Sequence, residues 1–140
     1  MIFARSMKRS DVASLTSIDV SDNGLLEDGC NAVLGLAMEA QNNITYLGMS
    51  KNRFGKQSMD QFGTLLESCM CLCVVEASNC HFGDAGINIA MEALTVNHSL
   101  TQLDISKNRV TEVGGNAIPN PNPNPNPNPN WRSVERPSPL

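Results

Sequence analysis

The stretch SLTQLDISKNRV, residues 99–110, recurs in four versions along this chain. Its counterparts are SLTSIDVSDNGL at 14–25, NITYLGMSKNRF at 43–54 and a more divergent CLCVVEASNCHF at 71–82. Aligned on Leu15, Ile44, Leu72 and Leu100, the units step by 29, 28 and 28 residues, a period that signals a solenoid of stacked units. The apolar residues fall at fixed offsets: Leu15, Ile18, Val20 and Leu25; Ile44, Leu47, Met49 and Phe54; Leu72, Val75, Ala77 and Phe82; Leu100, Leu103, Ile105 and Val110. The two-residue step between the second and third of each set is strand spacing, with both side chains on one buried face.

A polar residue follows at a constant distance: Asn23, Asn52, Cys80 and Asn108. A buried Asn there is expected to bond backbone groups of neighbouring turns, pairing amides that the bend would leave unpaired. Cys80 replaces it with a weaker S–H donor. The second half of each unit reads as an amphipathic helix. Within GDAGINIAMEALTVN, Ile87, Ala90, Met91 and Leu94 stand at i, i+3, i+4 and i+7. Val33, Leu34, Leu36, Ala37 and Met38 play that part in the first unit, and Met59, Phe62, Leu65 and Leu66 in the second. Gly29 and Gly86, at matching offsets, are expected to form tight turns ahead of the helices. The expected fold class is therefore α/β, a solenoid of four strand–turn–helix units with the last incomplete, its parallel sheet on the concave face.

The L-x-x-L-x-L-x-x-N/C-x-L pattern resembles that of leucine-rich repeats. The period, and FGDAGINIAMEAL at 82–94, are similar to the ribonuclease-inhibitor-like intracellular type, with Ala90 where that type has Leu. LTSIDVSDNG and SLTQLDISKN resemble repeats of the CARMIL family of capping-protein regulators. That resemblance implies a non-enzymatic, cytoskeleton-associated interaction scaffold; the family's capping-protein-binding segment lies outside its repeats and has no match here. Ran GTPase-activating proteins share the repeat type, which gives an alternative: a regulator of a small GTPase, or an inhibitor of another enzyme, acting through the concave face. Arg53 and Arg109 lie just past the ladder position, but nothing around them marks a catalytic arginine.

In a solenoid of this type the concave columns can be read directly. They are Ser17, Tyr46, Val74 and Gln102; Asp19, Gly48, Glu76 and Asp104; Ser21, Ser50, Ser78 and Ser106; and Asp22, Lys51, Asn79 and Lys107. The candidate partner-binding residues are Asp19, Asp22, Tyr46, Lys51, Glu76, Gln102, Asp104 and Lys107, a modest acidic stripe flanked by lysines and suited to a basic patch. Tyr46, the aromatic of this face, is its expected hot spot.

Composition narrows the function classes. The 140 residues carry 14 acids against 10 bases, a net charge of −4, which disfavours nucleic acid as a partner. No apolar run reaches the length of a membrane span. The opening MIFARSMKRS is basic without an apolar core, so it does not read as a secretory signal. Five cysteines, an odd number, fit a reducing cytoplasmic setting. Cys69, Cys71 and Cys73 alternate in CMCLCVV without the paired clusters of a zinc site, and Cys30 reads as a small buried hydrophobe. His81 and His98 lie in different loops without a nucleophile or carboxylate partner. No metal, cofactor or active site is expected.

The expected organisation is an N-terminal flank (1–14), a repeat domain (15–118) and an Asn-Pro-rich tail (119–140). PNPNPNPNPNPN at 119–130 excludes helix and reads as disordered. A last strand without its completing helix leaves an open edge. That edge implies a piece of a longer protein, the favoured reading, or end-to-end self-association, or a marginally stable chain.

Overall fold

The computed structural model describes residues 9–109. Residue 110 and the residues beyond it, including the fourth unit's second half and the Asn-Pro tail, lie outside the described part, as do the first eight.

A short helix α1 (Arg9–Ala13) leads into β1 (Ser17–Asp19), α2 (Glu27–Glu39), β2 (Tyr46–Gly48), α3 (Lys56–Ser68), β3 (Val74–Glu76), α4 (Gly83–Leu94) and β4 (Gln102–Asp104). The four strands form one parallel sheet in chain order, with Ser17, Tyr46, Val74 and Gln102 in register. That register is the repeat alignment itself. Although each strand spans three residues, parallel pairing continues through the following turn. The amides of Val20 and Asp22 donate to Gly48 and Ser50, those of Met49 and Lys51 to Glu76 and Ser78, and those of Ala77 and Asn79 to Asp104 and Ser106.

Between sheet and helices lies one continuous core containing every described residue of the four apolar sets except Leu15 and Leu25, which pack against it. With 4% aromatic residues the composition favours an aliphatic core, and the core is mainly aliphatic, with one aromatic cluster in it. Phe54, Phe62 and Phe82 meet with ring centroids 5.0–5.7 Å apart. Phe54 and Phe82 occupy the same position in successive units, and Phe62 reaches them from α3. Val12 of α1 is also buried in this core, and Asn43 donates to the Ala13 carbonyl at 2.6 Å, so the N-terminal flank is stapled to the first two units.

Two glycines differ from expectation. Gly29 and Gly86 lie inside the first turns of α2 and α4, not in turns ahead of them. A Cβ on Gly86 would sit 2.9 Å from Phe82 Cβ and 3.2 Å from Met59, and one on Gly29 would sit 3.0 Å from Leu25. Close packing at the helix start selects these glycines.

None of α2, α3 or α4 has a side-chain cap from its own N-cap residue. The preceding unit caps α3 instead: Glu27 Oε1 accepts the Gln57 amide at 2.7 Å, and Ser58 donates to the Glu27 carbonyl. The Glu27 carboxylate fills the space that a Cβ on Gly55 would need. A negative charge is thus set at the positive end of the helix.

Candidate functional site: the concave face and its turn rim

The ladder positions determine how rigidly the concave face is held. Asn52 is buried; its Nδ2 donates to Met49 O of its own unit (2.9 Å) and Val20 O of the preceding one (3.0 Å), while Oδ1 accepts the Leu25 amide at 2.9 Å. Asn108 repeats this with Ile105 O, Ala77 O and the Cys80 amide. Cys80 keeps the link to the preceding unit, Sγ to Met49 O at 3.2 Å, but has no oxygen to accept the return bond. Burial pushes its thiol up to about 12. Asn23 departs from the expected buried ladder residue: it is exposed and bonds only Val20 O and Ser21 O, because it has no described unit before it to bridge.

A second ladder, at the start of each strand, was not expected from sequence. Thr45 and Thr101 donate their hydroxyls to the carbonyls of Thr16 and Cys73, so residues 16, 45, 73 and 101 form one column. Three threonines at one offset were the signal for it. Asn97, buried at the turn before β4, donates to Leu66 O and Cys69 O and accepts the Ser99 and Leu100 amides. The thiols of Cys69, Cys71 and Cys73 contact the carbonyls of Gln41, Asn42 and Cys71. Among the described residues no group of three or more His, Cys, Asp or Glu could hold a metal ion.

On the concave face, the acidic column converges on Tyr46. The tyrosine hydroxyl donates to Glu76 Oε2 at 2.9 Å. Burial, that hydrogen bond, and the charges of Glu76 and Asp19 push its pKa up to about 12. Gly48 makes the arrangement fit: a Cβ there would stand 2.6 Å from Asp19 Oδ1 and 2.8 Å from Tyr46 Oη. Tyr46 is therefore half-buried and engaged rather than free-standing. Asp19 and Asp104 each accept the amide two residues on, from Ser21 and Ser106, at 3.0 Å. The serine column is also occupied internally. Ser50 Oγ accepts the Ser78 amide, Ser78 and Ser106 hydroxyls pair at 3.0 Å, and Ser106 is buried rather than outward. Gln102 is exposed on β4, the last described strand.

The remaining candidates, Asp22, Lys51 and Lys107, stand with Asn79 in the turns that follow the strands, all exposed. All four have left-handed backbone, φ 55° to 61°. This rim therefore lies beside the acidic column, not within it. An open recess of about 290 Å³ here is lined by Asp22, Lys51, Arg53, Asn79 and His81 among others.

Comparison with known proteins agrees with this architecture. A family model described as a leucine-rich repeat matches residues 96–118. Among solved structures, the leiomodin-1 actin-binding site 2 superposes with a TM-score of 0.58 at 14% identity, covering 68% of this chain and 55% of that one. The tropomodulin C-terminal domain of Caenorhabditis elegans superposes with a TM-score of 0.61 at 11% identity, covering 84% and 77%. The chain thus spans about half the length of the leiomodin-1 chain it resembles. Comparison with curated proteins gives no match. Repeat, sheet and ladder together define a leucine-rich-repeat solenoid. No described helix is long and apolar enough to cross a membrane.

Proposed function

We propose that this chain is a non-enzymatic protein-binding scaffold of the cytoplasm, associated with the cytoskeleton, whose concave face receives a basic segment of a partner. The observation that carries the reading is the Asp19–Tyr46–Glu76 cluster over Gly48, at the middle of the sheet. It offers an aromatic ring held between carboxylates, the composition that engages a cationic side chain by charge and by its π face. The likeness to an actin-binding site of leiomodin-1 supports a cytoskeletal partner and makes actin the first to try. The match ending at residue 118 supports a repeat domain running that far, with residues 119–140 as a separate tail.

The test is titration of labelled actin with the full chain, with Tyr46→Ala and with Glu76→Lys. Binding weakened about tenfold or more by both variants supports the proposal. Undiminished binding by the variants overturns the concave face as the site. Absence of binding by the unaltered chain overturns actin as its partner.

A further inference from the structure

The strand-to-helix rim carries a charge pattern opposite to that of the concave column and independent of the reading above. The sequence SKNR occurs twice, at 50–53 and 106–109, placing Lys51 and Arg53 in register with Lys107 and Arg109. Between them, in the third unit, stand Asn79 and His81. Successive units repeat at the parallel-strand spacing of about 4.8 Å. Arg53, His81 and Arg109 thus form one column along the rim, and Lys51, Asn79 and Lys107 a second beside it. Asp22 is the acid at the first-unit end of the second column and bounds the cationic stretch.

Three observations set this rim apart from an ordinary solvated turn. First, the backbone of the rim repeats from unit to unit: Asp22, Lys51, Asn79 and Lys107 are all left-handed, as are His81 and Arg109, with φ of 55° to 63°, so the side chains they carry stand in register. Second, the His81 ring lines both the 290 Å³ recess and a more apolar one of about 320 Å³ walled by Phe54, Met59, Phe82 and Ile89. Its Nδ1 is buried and has no hydrogen-bond partner, so that nitrogen is not spent on tying down the turn. Third, His81 is held below the usual imidazole range by burial and then by the charges of Arg109 and Arg53. Arg53 shares the recess with His81, and Arg109 stands at the same offset one unit beyond it.

The geometry points to an oxyanion site on this rim, taking a phosphate group between Arg53, His81 and Arg109, with Lys51 and Asn79 at its edge. Guanidinium groups match a tetrahedral oxyanion by paired N–H donors. A dianion placed there offsets the repulsion between the two arginines and favours a proton on His81. Free phosphate and a phosphorylated side chain present the same chemistry.

The experiment is histidine-imidazole NMR of the full chain at fixed pH 7, titrated with inorganic phosphate and separately with a phosphoserine peptide. His81 should move saturably toward its protonated position while His98, exposed before β4, does not. Replacing the exposed arginines by Arg53→Gln with Arg109→Gln should weaken binding about tenfold or more without unfolding the chain. Tighter binding of the peptide assigns the phosphate to a protein partner, and equal binding assigns it to the free anion. Equal, non-saturating drift of both histidines, or full binding by the double variant, overturns the site.

Discussion

Replacing Asn52 by Ala tests whether the asparagine ladder holds the units together or only decorates the turn. Three bonds are lost, but their consequences differ. Val20 O keeps the Asn23 side chain as a partner, and Met49 O keeps the Cys80 thiol. Each of these carbonyls is therefore weakened rather than orphaned, about 0.5–1 kcal/mol apiece. The Leu25 amide loses its acceptor in a partly buried position, which costs about 1–2 kcal/mol. The sum is about 2–4 kcal/mol, a large fraction of the stability of a small domain. Cys80→Ala removes a weak donor and one buried sulfur, with no amide orphaned, and should cost about 1 kcal/mol. Asn23→Ala, exposed and locally bonded, should cost less than about 0.5 kcal/mol. Equilibrium urea unfolding of the three variants under one set of conditions gives the order directly. Asn52→Ala within about 1 kcal/mol of the parent, or Asn23→Ala as damaging as Asn52→Ala, would refute the reasoning.

Further outcomes are expected at four positions. Tyr46 is the single tyrosine, so its ultraviolet titration reads this residue alone and should show a midpoint near 12 instead of 10. Because its folded pKa is raised above the unfolded one, its contribution to stability is complete below about pH 10 and lost as pH rises toward 12; unfolding midpoints across that window should fall, and fall less in Tyr46→Phe. Lys51→Gly relieves left-handed strain of about 1–2 kcal/mol at an entropic cost of about 0.5–1 kcal/mol, so thermal unfolding should show a slightly more stable chain. Gly63→Ala puts a Cβ 2.5 Å from Ile89 Cγ2 between α3 and α4 and should destabilise by about 1–3 kcal/mol in the same assay. Phe62→Ala, which removes the fully buried ring of the aromatic triad, should cost about 3–5 kcal/mol in denaturant unfolding.

The architecture is legible in the sequence because a solenoid writes each structural role once per unit. Aligning Leu15, Ile44, Leu72 and Leu100 amounts to drawing the strand register, and the offsets of Ile18 and Val20 yield the buried face. What escaped that reading depends on contacts between units or on residues with two physical uses. Glycine serves turns and close packing alike, and only the neighbours of Gly29 and Gly86, chiefly Leu25, Phe82 and Met59, show which applies. Glu27 caps a helix of the next unit, a relation with no counterpart inside any one repeat. The aromatic cluster was hidden because Phe54 and Phe82 share a column while Phe62 comes from a helix, so only three-dimensional packing brings the rings together. The Tyr46 cluster was half visible: its column was right, but its engagement with Glu76 follows from the space left by Gly48.

A stacked repeat creates a general difficulty for charged columns, since like residues recur about every 4.8 Å. The acidic column answers it with internal hydrogen bonds, and this determines which variant can test the concave site cleanly. Asp19 and Asp104 each hold a turn amide, so reversing either charge disturbs the fold as well as any partner. Glu76 differs: its carboxylate accepts from a side chain, the Tyr46 hydroxyl. Glu76→Gln keeps an acceptor for that hydroxyl while deleting the charge. Stability should therefore change by less than about 1 kcal/mol, and the Tyr46 midpoint should fall because one carboxylate charge has gone. A partner recognised through the carboxylates loses affinity in this variant, and loses less of it at high salt, where the charge is already screened. A partner that binds Glu76→Gln as tightly as the parent at low salt does not use the acidic column, and the tyrosine ring alone would then have to carry the contact.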